Sequence, residues 1–263
     1  MSKIVVLGGA GFLGKRICQA GVNAGFQVTS LTRSGKPPRG VTHHDAHWLT
    51  KVQWQSADLF DPSSYKHHLV DAHTVVHSVG ILLENQNYKT AVNSNSSVLS
   101  EFVNFVKPSN PLAKIPRNTY TEVNRDSALL LAETYVAETK VDSPSFVYIS
   151  ADRGFPGLPS GYITSKREAE VELSLLKGLK CLFARPGFMF DEDVHDDTMR
   201  ETIHKFVDAL DWGNKTLLGS RIPVLNDLVR PTISTQRVAH EIVDSIQNNR
   251  FNGVLSLDEM LHK

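Results

Sequence analysis

Tyr162 and Lys166 stand four residues apart in Tyr162-Ile-Thr-Ser-Lys166. On a helix that spacing puts both side chains on one face. An ammonium beside a phenol favours the phenolate and draws the Tyr down from its ordinary value of about 10. The pair is thus suited to passing a proton to or from a substrate oxygen. Ser150 closes the run Ser145-Phe-Val-Tyr-Ile149 and supplies a hydroxyl for the same oxygen. Asn124, early in a helix-forming stretch, is placed to anchor a water-linked proton path to Lys166. A Tyr and a Lys at this spacing also occur on plain surface helices. The strand-end Ser and a hydride carrier are what would give the pair a use.

The carrier's place is at the start of the chain. Ile4 to Leu7 is a short apolar run of the kind that forms a strand buried on both faces. Gly8-Gly9-Ala10-Gly11-Phe12-Leu13-Gly14 follows, and Lys15 to Gly21 has helical composition. Strand, glycine turn and helix together make a dinucleotide fingerprint. The glycines permit a tight turn, a close approach of amides to a pyrophosphate, and close packing of helix on strand. The helix start then offers amides and a positive dipole end to the phosphates.

The elements between these two sites must form the scaffold. Strands are expected at 26–31, 52–57, 74–79, 145–149 and 181–184, with helices at 63–70, 120–139, 162–176 and 238–246. Alternation of strand and helix predicts an α/β fold, a Rossmann-type doubly wound parallel sheet. Residues 1–185 would be the NAD(P)-binding domain, and 186–263 a small mixed α/β cap on the substrate side. The end of the second strand reads Thr32-Arg33-Ser34, with Lys36 and Arg39 close behind. An acidic residue there would suit a ribose 2′-hydroxyl; a guanidinium suits a 2′-phosphate. NADP(H) is therefore the expected cofactor, with NAD(H) also possible; the alternative is that these cations merely solubilise a Gly/Pro-rich loop. Asp58 follows the third strand and is assigned to the adenine, whereas Asp61 is assigned to the turn. Gly80, after the fourth strand, lets the backbone run close to the cofactor beside His77 and Ser78, although a satisfied core histidine is the commoner outcome for a position like that of His77.

Several stretches carry weaker expectations. His43, His44 and His47 beside Asp45 fit no closed zinc set and read as solvated, so no metal site is expected. Glu84 to Asn118 is poorly patterned, and its place after the fourth strand suggests a lid. Phe188, Met189 and Phe190 would make either an apolar substrate wall or core. Asp191 to Asp197 reads as an exposed acidic run, Thr198 to Leu210 as an amphipathic helix, and Arg230 as a loop cation for substrate polar groups.

Whole-chain properties narrow the class. With 263 residues, 41% hydrophobic and 21% charged, the chain can bury a full core. A formal net charge of zero gives no electrostatic case for nucleic acid or an anionic membrane surface. Two cysteines imply no disulfide framework. No apolar run approaches the ~20 residues needed to span a bilayer. The first strand begins at residue 4, which leaves no room for a cleavable presequence.

Taken in order, Gly8 to Gly14, Asp58-Leu59, Asn124, Ser150, Tyr162 with Lys166, and Arg185-Pro186-Gly187 resemble the short-chain dehydrogenase/reductase family, in its extended and atypical branches. The resemblance covers nearly the whole chain. It implies a catalytic set of Ser150, Tyr162, Lys166 and Asn124. It also implies a cofactor site formed by Gly8, Gly9, Gly11, Phe12, Leu13, Gly14, Arg33, Ser34, Asp58, Leu59, Ser78, Gly80, Tyr162, Lys166 and Pro186. Lys166 would hold the nicotinamide ribose. Leu7 departs from the threonine usual in extended members, and Arg33 from the acidic residue. Longer runs, among them His77 to Glu84, Ser160 to Glu170 and Leu225 to Thr232, resemble the atypical reductase-like proteins of fungal mitochondrial coenzyme Q (ubiquinone) biosynthesis. That resemblance implies a peripheral protein on the matrix face of the inner membrane. Its partners would be other coenzyme Q biosynthesis proteins, with a quinone or prenylated ring compound as ligand. More distantly the chain resembles the nucleotide-binding accessory subunit of respiratory complex I, which keeps Tyr-x-x-x-Lys in a structural role. A non-catalytic subunit that scaffolds or regulates the biosynthetic complex is therefore the alternative.

Overall fold

Lys3-Ile-Val-Val-Leu7 becomes β1 (Lys3–Leu7), with Ile4 to Leu7 at most 3% exposed. Ile4 and Val6 join a core on one side of the sheet, Val5 and Leu7 a core on the other. A strand covered on both faces needs such an unbroken apolar run. The computed structural model describes residues 2–38, 46–82, 119–153, 159–193, 230–251 and 253–262. Among them follow α1 (Gly14–Asn23), β2 (Gln27–Thr32), α2 (Ala46–Leu49), β3 (Val52–Ser56) and β4 (Thr74–His77). Then come α3 (Ser127–Glu138), β5 (Ser145–Ile149), α4 (Ser160–Ser174), β6 (Lys180–Ala184) and β7 (Met189–Phe190). β8 (Ile233–Ser234), α5 (Thr235–Gln247), β9 (Gly253–Leu255) and α6 (Leu257–His262) complete the order. His43, His44 and Asp45 of the histidine cluster, the expected lid at 84–118 and the expected helix at 198–210 lie outside the described residues, whereas His47 is exposed in α2.

The main sheet has the order β3-β2-β1-β4-β5-β6-β9, and every pair is parallel. This is the doubly wound parallel sheet expected from the sequence. The order reverses between β1 and β4, and ligands of open α/β sheets bind at that switch, outside the carboxyl ends of the strands. The glycine turn, Ser78 and Gly80 sit there. β9 makes the chain's last residues part of the same sheet, while β7 and β8 pair separately.

Two local expectations are corrected. Residues 63–70 form no α-helix but two tight turns, Pro62–Ser64 and Lys66–His68, parted by Tyr65 at φ −134°. Asp61 caps the first through Ser63 N, and Ser64 Oγ donates to the Asp61 carbonyl at 2.7 Å, so side chains consume the bonds a longer helix would need. The helix expected from Tyr120 begins with a wide π turn, Thr121–Asp126, before α3.

Asp191 is buried rather than exposed. Its carboxylate meets Arg16 Nη2 at 2.6 Å, Lys15 Nζ at 2.7 Å and Gln236 Nε2 at 2.8 Å. This ties the segment after β7 and the start of α5 to the first turn of the glycine-loop helix. Burial pushes the Asp191 carboxyl up, but the bonds from Arg16 and Lys15 outweigh that and hold it below its ordinary value. A carboxylate whose folded value is depressed contributes stability above its unfolded value of about 3.9, lost as pH falls through the folded one. Asp191→Asn should cost about 1.5–3 kcal/mol in urea unfolding, because buried Arg16 loses one carboxylate partner while keeping Asp193 and Gln19. It should also flatten the acid limb of stability against pH. A loss under about 1 kcal/mol would show that water replaces the carboxylate.

Candidate active site

The nucleotide end is built from backbone. Gly8 takes φ 87° as β1 ends, and its N–H donates to Leu31 O at 2.9 Å. Gly11 N–H donates to Gly8 O at 2.8 Å and closes the turn. A Cβ on Gly8 would lie 2.8 Å from Ser78 O, one on Gly9 would overlap Ser30 Oγ, and one on Gly14 would overlap Gly8 O. Leu13 at the start of α1 supplies no side-chain cap, so the helix end is left for an anion. A dinucleotide pyrophosphate fits this cradle.

The adenosine side is more open. Arg33 and Ser34 are exposed in the turn after β2, where Ser56 Oγ holds Arg33 O at 3.0 Å. Asp58 accepts from Phe60 N at 3.0 Å through one carboxylate oxygen and remains exposed. Leu59 is half-buried against the core. Ser78 N–H donates to Leu7 O at 2.9 Å, and Pro186 O accepts from Asp152 N at 2.8 Å.

Lys166 is the centre of the chemical end. Only 3% exposed, it donates to Ile149 O at 2.8 Å and lies 4.7 Å from the centroid of the Tyr148 ring. Burial drives its pKa from the ordinary 10.5 down to about 7, with Glu170 pulling the other way. A Cβ on Gly80 would sit 3.2 Å from both Lys166 Nζ and Asn124 Oδ1, so the glycine lets the β4 loop pass between them. Tyr162 lies one turn before Lys166, half-buried, packing with Tyr120, Val79 and Ile81; the Tyr120 ring is edge-on at 6.1 Å.

Asn124 is heavily bonded. Its Oδ1 accepts from Ile81 N at 2.9 Å and its Nδ2 donates to Ile81 O at 3.3 Å. The π turn presents its carbonyl to Tyr148 Oη, which donates at 2.5 Å. His77 is fully buried beside Tyr148, and its Nε2 meets Ser127 Oγ at 2.9 Å. Ser127 spends its one hydrogen on Val123 O at 2.7 Å, so Nε2 carries the imidazole proton and Nδ1 keeps a bare lone pair. Burial, then Lys166, pushes the His77 pKa to about 3, so the ring stays neutral.

Ser150 is 3% exposed and accepts from Arg167 Nη1 at 3.0 Å. Arg230, expected to greet substrate, is instead committed to Asp152 at 2.8 Å and Asp258 at 3.0 Å. Phe188 to Phe190 are half-buried, with Met189 against the core. The structure thus gathers Lys166, Asn124, Gly80 and the end of β5 in one cluster, with Tyr162 a turn away. Sequence reasoning did not pick out Arg167, Tyr148 or Asp191. Arg167 had one signal, its position beside Lys166 with Glu170 three residues on.

Comparison with known proteins agrees with this fold. Residues 4–102 match the NAD dependent epimerase/dehydratase family. A solved short-chain dehydrogenase from Streptomyces avermitilis superposes with a TM-score of 0.58 over 99% of this chain and 91% of its own, at 15% identity, which establishes likeness of fold. An uncharacterized chloroplastic protein of Arabidopsis thaliana is 25% identical, over 98% of this chain and 76% of its own. MIOREX complex component 2 of Saccharomyces cerevisiae is 46% identical over 98% of both chains. On that identity and coverage, the protein belongs to the family of MIOREX complex component 2, built on an epimerase and short-chain dehydrogenase type of Rossmann fold.

Proposed function

We propose that the chain is an NADP(H)-dependent oxidoreductase that reduces or oxidises a quinone-pathway intermediate of coenzyme Q biosynthesis, with Tyr162 as acid/base. The observation that carries it is Lys166, a buried lysine one helical turn from a half-buried tyrosine at the carboxyl edge of the sheet. A nicotinamide dinucleotide held along the glycine cradle of Gly8 to Gly14 would supply or accept the hydride. In the reducing direction Tyr162 gives its proton to the substrate oxygen as charge develops there, and solvent restores it. Lys166 as ammonium favours departure of that proton, and Ser150 hydrogen-bonds the same oxygen. The apolar surface of Tyr120, Val79 and Ile81 around Tyr162 suits a ring compound with a prenyl tail. Exposed Arg33 and Ser34 favour a 2′-phosphate. The yeast relative is named as a component of the MIOREX complex, which supports work within a protein assembly; the mitochondrial matrix face as its setting rests on the coenzyme Q resemblance. No helix among the described residues is long and apolar enough to cross a membrane, and peripheral association is what the resemblance implies.

The test is NADPH oxidation by a short-chain ubiquinone and by 9,10-phenanthrenequinone, with NADPH and NADH titrated in parallel. Arg33→Gln should weaken NADPH about tenfold and leave NADH within about twofold, since one charged contact to phosphate is lost. Equal effects on both would place Arg33 outside the 2′-phosphate site.

One observation favours a second reading. The Asn124 side chain bonds both backbone groups of Ile81 and its carbonyl accepts from Tyr148, so the residue ties the π turn to the segment after β4. A nucleotide-stabilised, non-catalytic subunit that scaffolds the biosynthetic complex fits that arrangement. NADPH binding without turnover of any probe would select it.

A further inference from the structure

Two consecutive residues of α4 hold two consecutive residues at the end of β5. Lys166 takes Ile149 O, and Arg167 takes Ser150 Oγ. The Arg167 fork does more. Nη1 also donates to Glu170 Oε1 at 2.8 Å, and Nη2 to the carbonyls of Ala151 at 2.9 Å and Asp152 at 2.6 Å. Glu170 is itself buried and paired with Arg185, so the guanidinium is held from behind. Asp152 continues the chain of contacts through Arg230 to Asp258 of α6. The loop carrying Ser150 is therefore fixed to α4 and to the last helix.

A serine hydroxyl has one hydrogen and two acceptor positions. In Ser150 an acceptor position is filled by a cationic donor, and the hydroxyl donates to no partner among the described residues. We propose that Arg167 is the positioning residue of Ser150, fixing its hydroxyl as a donor for an acceptor oxygen, the carbonyl of a quinone or ketone. This rests on the oxidoreductase reading above. The charged donor also polarises the hydroxyl, which strengthens the bond it gives. A lysine could reach one of these acceptors, whereas the planar fork serves all of them at once.

The experiment compares wild type, Ser150→Ala, Arg167→Met, Arg167→Lys and the Ser150→Ala/Arg167→Met double variant. Readouts are NADPH oxidation by 9,10-phenanthrenequinone and a short-chain ubiquinone, and the NADPH-induced thermal shift. Arg167→Met should lower kcat about 10–100-fold with KM for NADPH within about twofold, the pattern of a bond made in the transition state. In the Ser150→Ala background the same change should cost under about threefold, because the two residues act as a unit. Arg167→Lys should fall between Arg167→Met and wild type. Additive losses, an unchanged kcat, or a fall that tracks loss of the NADPH thermal shift would each overturn the proposal. Wild type inert with both quinones while NADPH binds would remove the oxidoreductase reading and this inference with it. Active wild type with an indifferent Arg167→Met removes this inference alone.

Discussion

Gly14→Ala should abolish the stabilisation that NADPH gives the wild-type protein. Its new methyl would overlap Gly8 O and lie 2.9 Å from Gly8 C and Gly9 Cα, all backbone of the phosphate-binding turn. Backbone cannot swing aside as a long side chain can, so the turn must open and its amides lose their common focus. A specific ligand at a hundredfold excess over Kd stabilises by about 2.7 kcal/mol, and that gain should disappear. The variant itself should lose about 1–3 kcal/mol, the usual cost of overpacking. Gly25→Ala is the control for backbone strain. It has φ 84° but nothing within 4 Å of a Cβ, so it should lose about 1 kcal/mol and keep the full NADPH shift. NADPH affinity in Gly14→Ala within about threefold of wild type would mean that the dinucleotide does not use this turn.

The parts of this fold that were legible share a cause. A parallel strand covered on both faces must be an apolar run, so β1 and β5 announced themselves, and a glycine turn between strand and helix has few other uses. The placing of Tyr162 and Lys166 on one helix was legible because the two stand four residues apart. Contacts made across long sequence distances were not. Asp191 meets Arg16 from 175 positions away and looked like the first residue of a solvated acidic run. Arg167 was passed over because its acceptors are a hydroxyl and two carbonyls of another element, which leave no periodic trace. The π turn at Thr121–Asp126 has ordinary helical composition, and what distinguishes it is the Asn124 carbonyl given to Tyr148. The short stretch after Asp61 failed for the opposite reason, because local side-chain bonds overrode helical composition.

Tyr162→Phe should cut NADPH-dependent reduction of 9,10-phenanthrenequinone about 10²–10⁴-fold, the usual value of a positioned acid. The NADPH thermal shift should stay within about 0.5 kcal/mol of wild type, because the ring and its packing on Tyr120 remain. The pH profile carries the larger information. With burial holding Lys166 at about 7, the ammonium is present below that pH and lost above it. A charged Lys166 makes the Tyr162 phenol a stronger acid, so reduction should slow as pH rises through the lysine's value. Glu170 favours the charge, while His77, neutral throughout this range, and Tyr148, whose phenol burial holds well above its ordinary value, add no titration of their own. An anionic dinucleotide nearby favours the ammonium, so the limb in kcat should lie at higher pH than the limb in kcat/KM. Lys166→Met should be slow and without that limb. A Tyr162→Phe enzyme retaining more than about a tenth of wild-type rate would dismiss the phenol as the acid. The fold would then serve binding alone, and the tight bonding of Asn124 would be read as part of a rigid nucleotide-holding subunit.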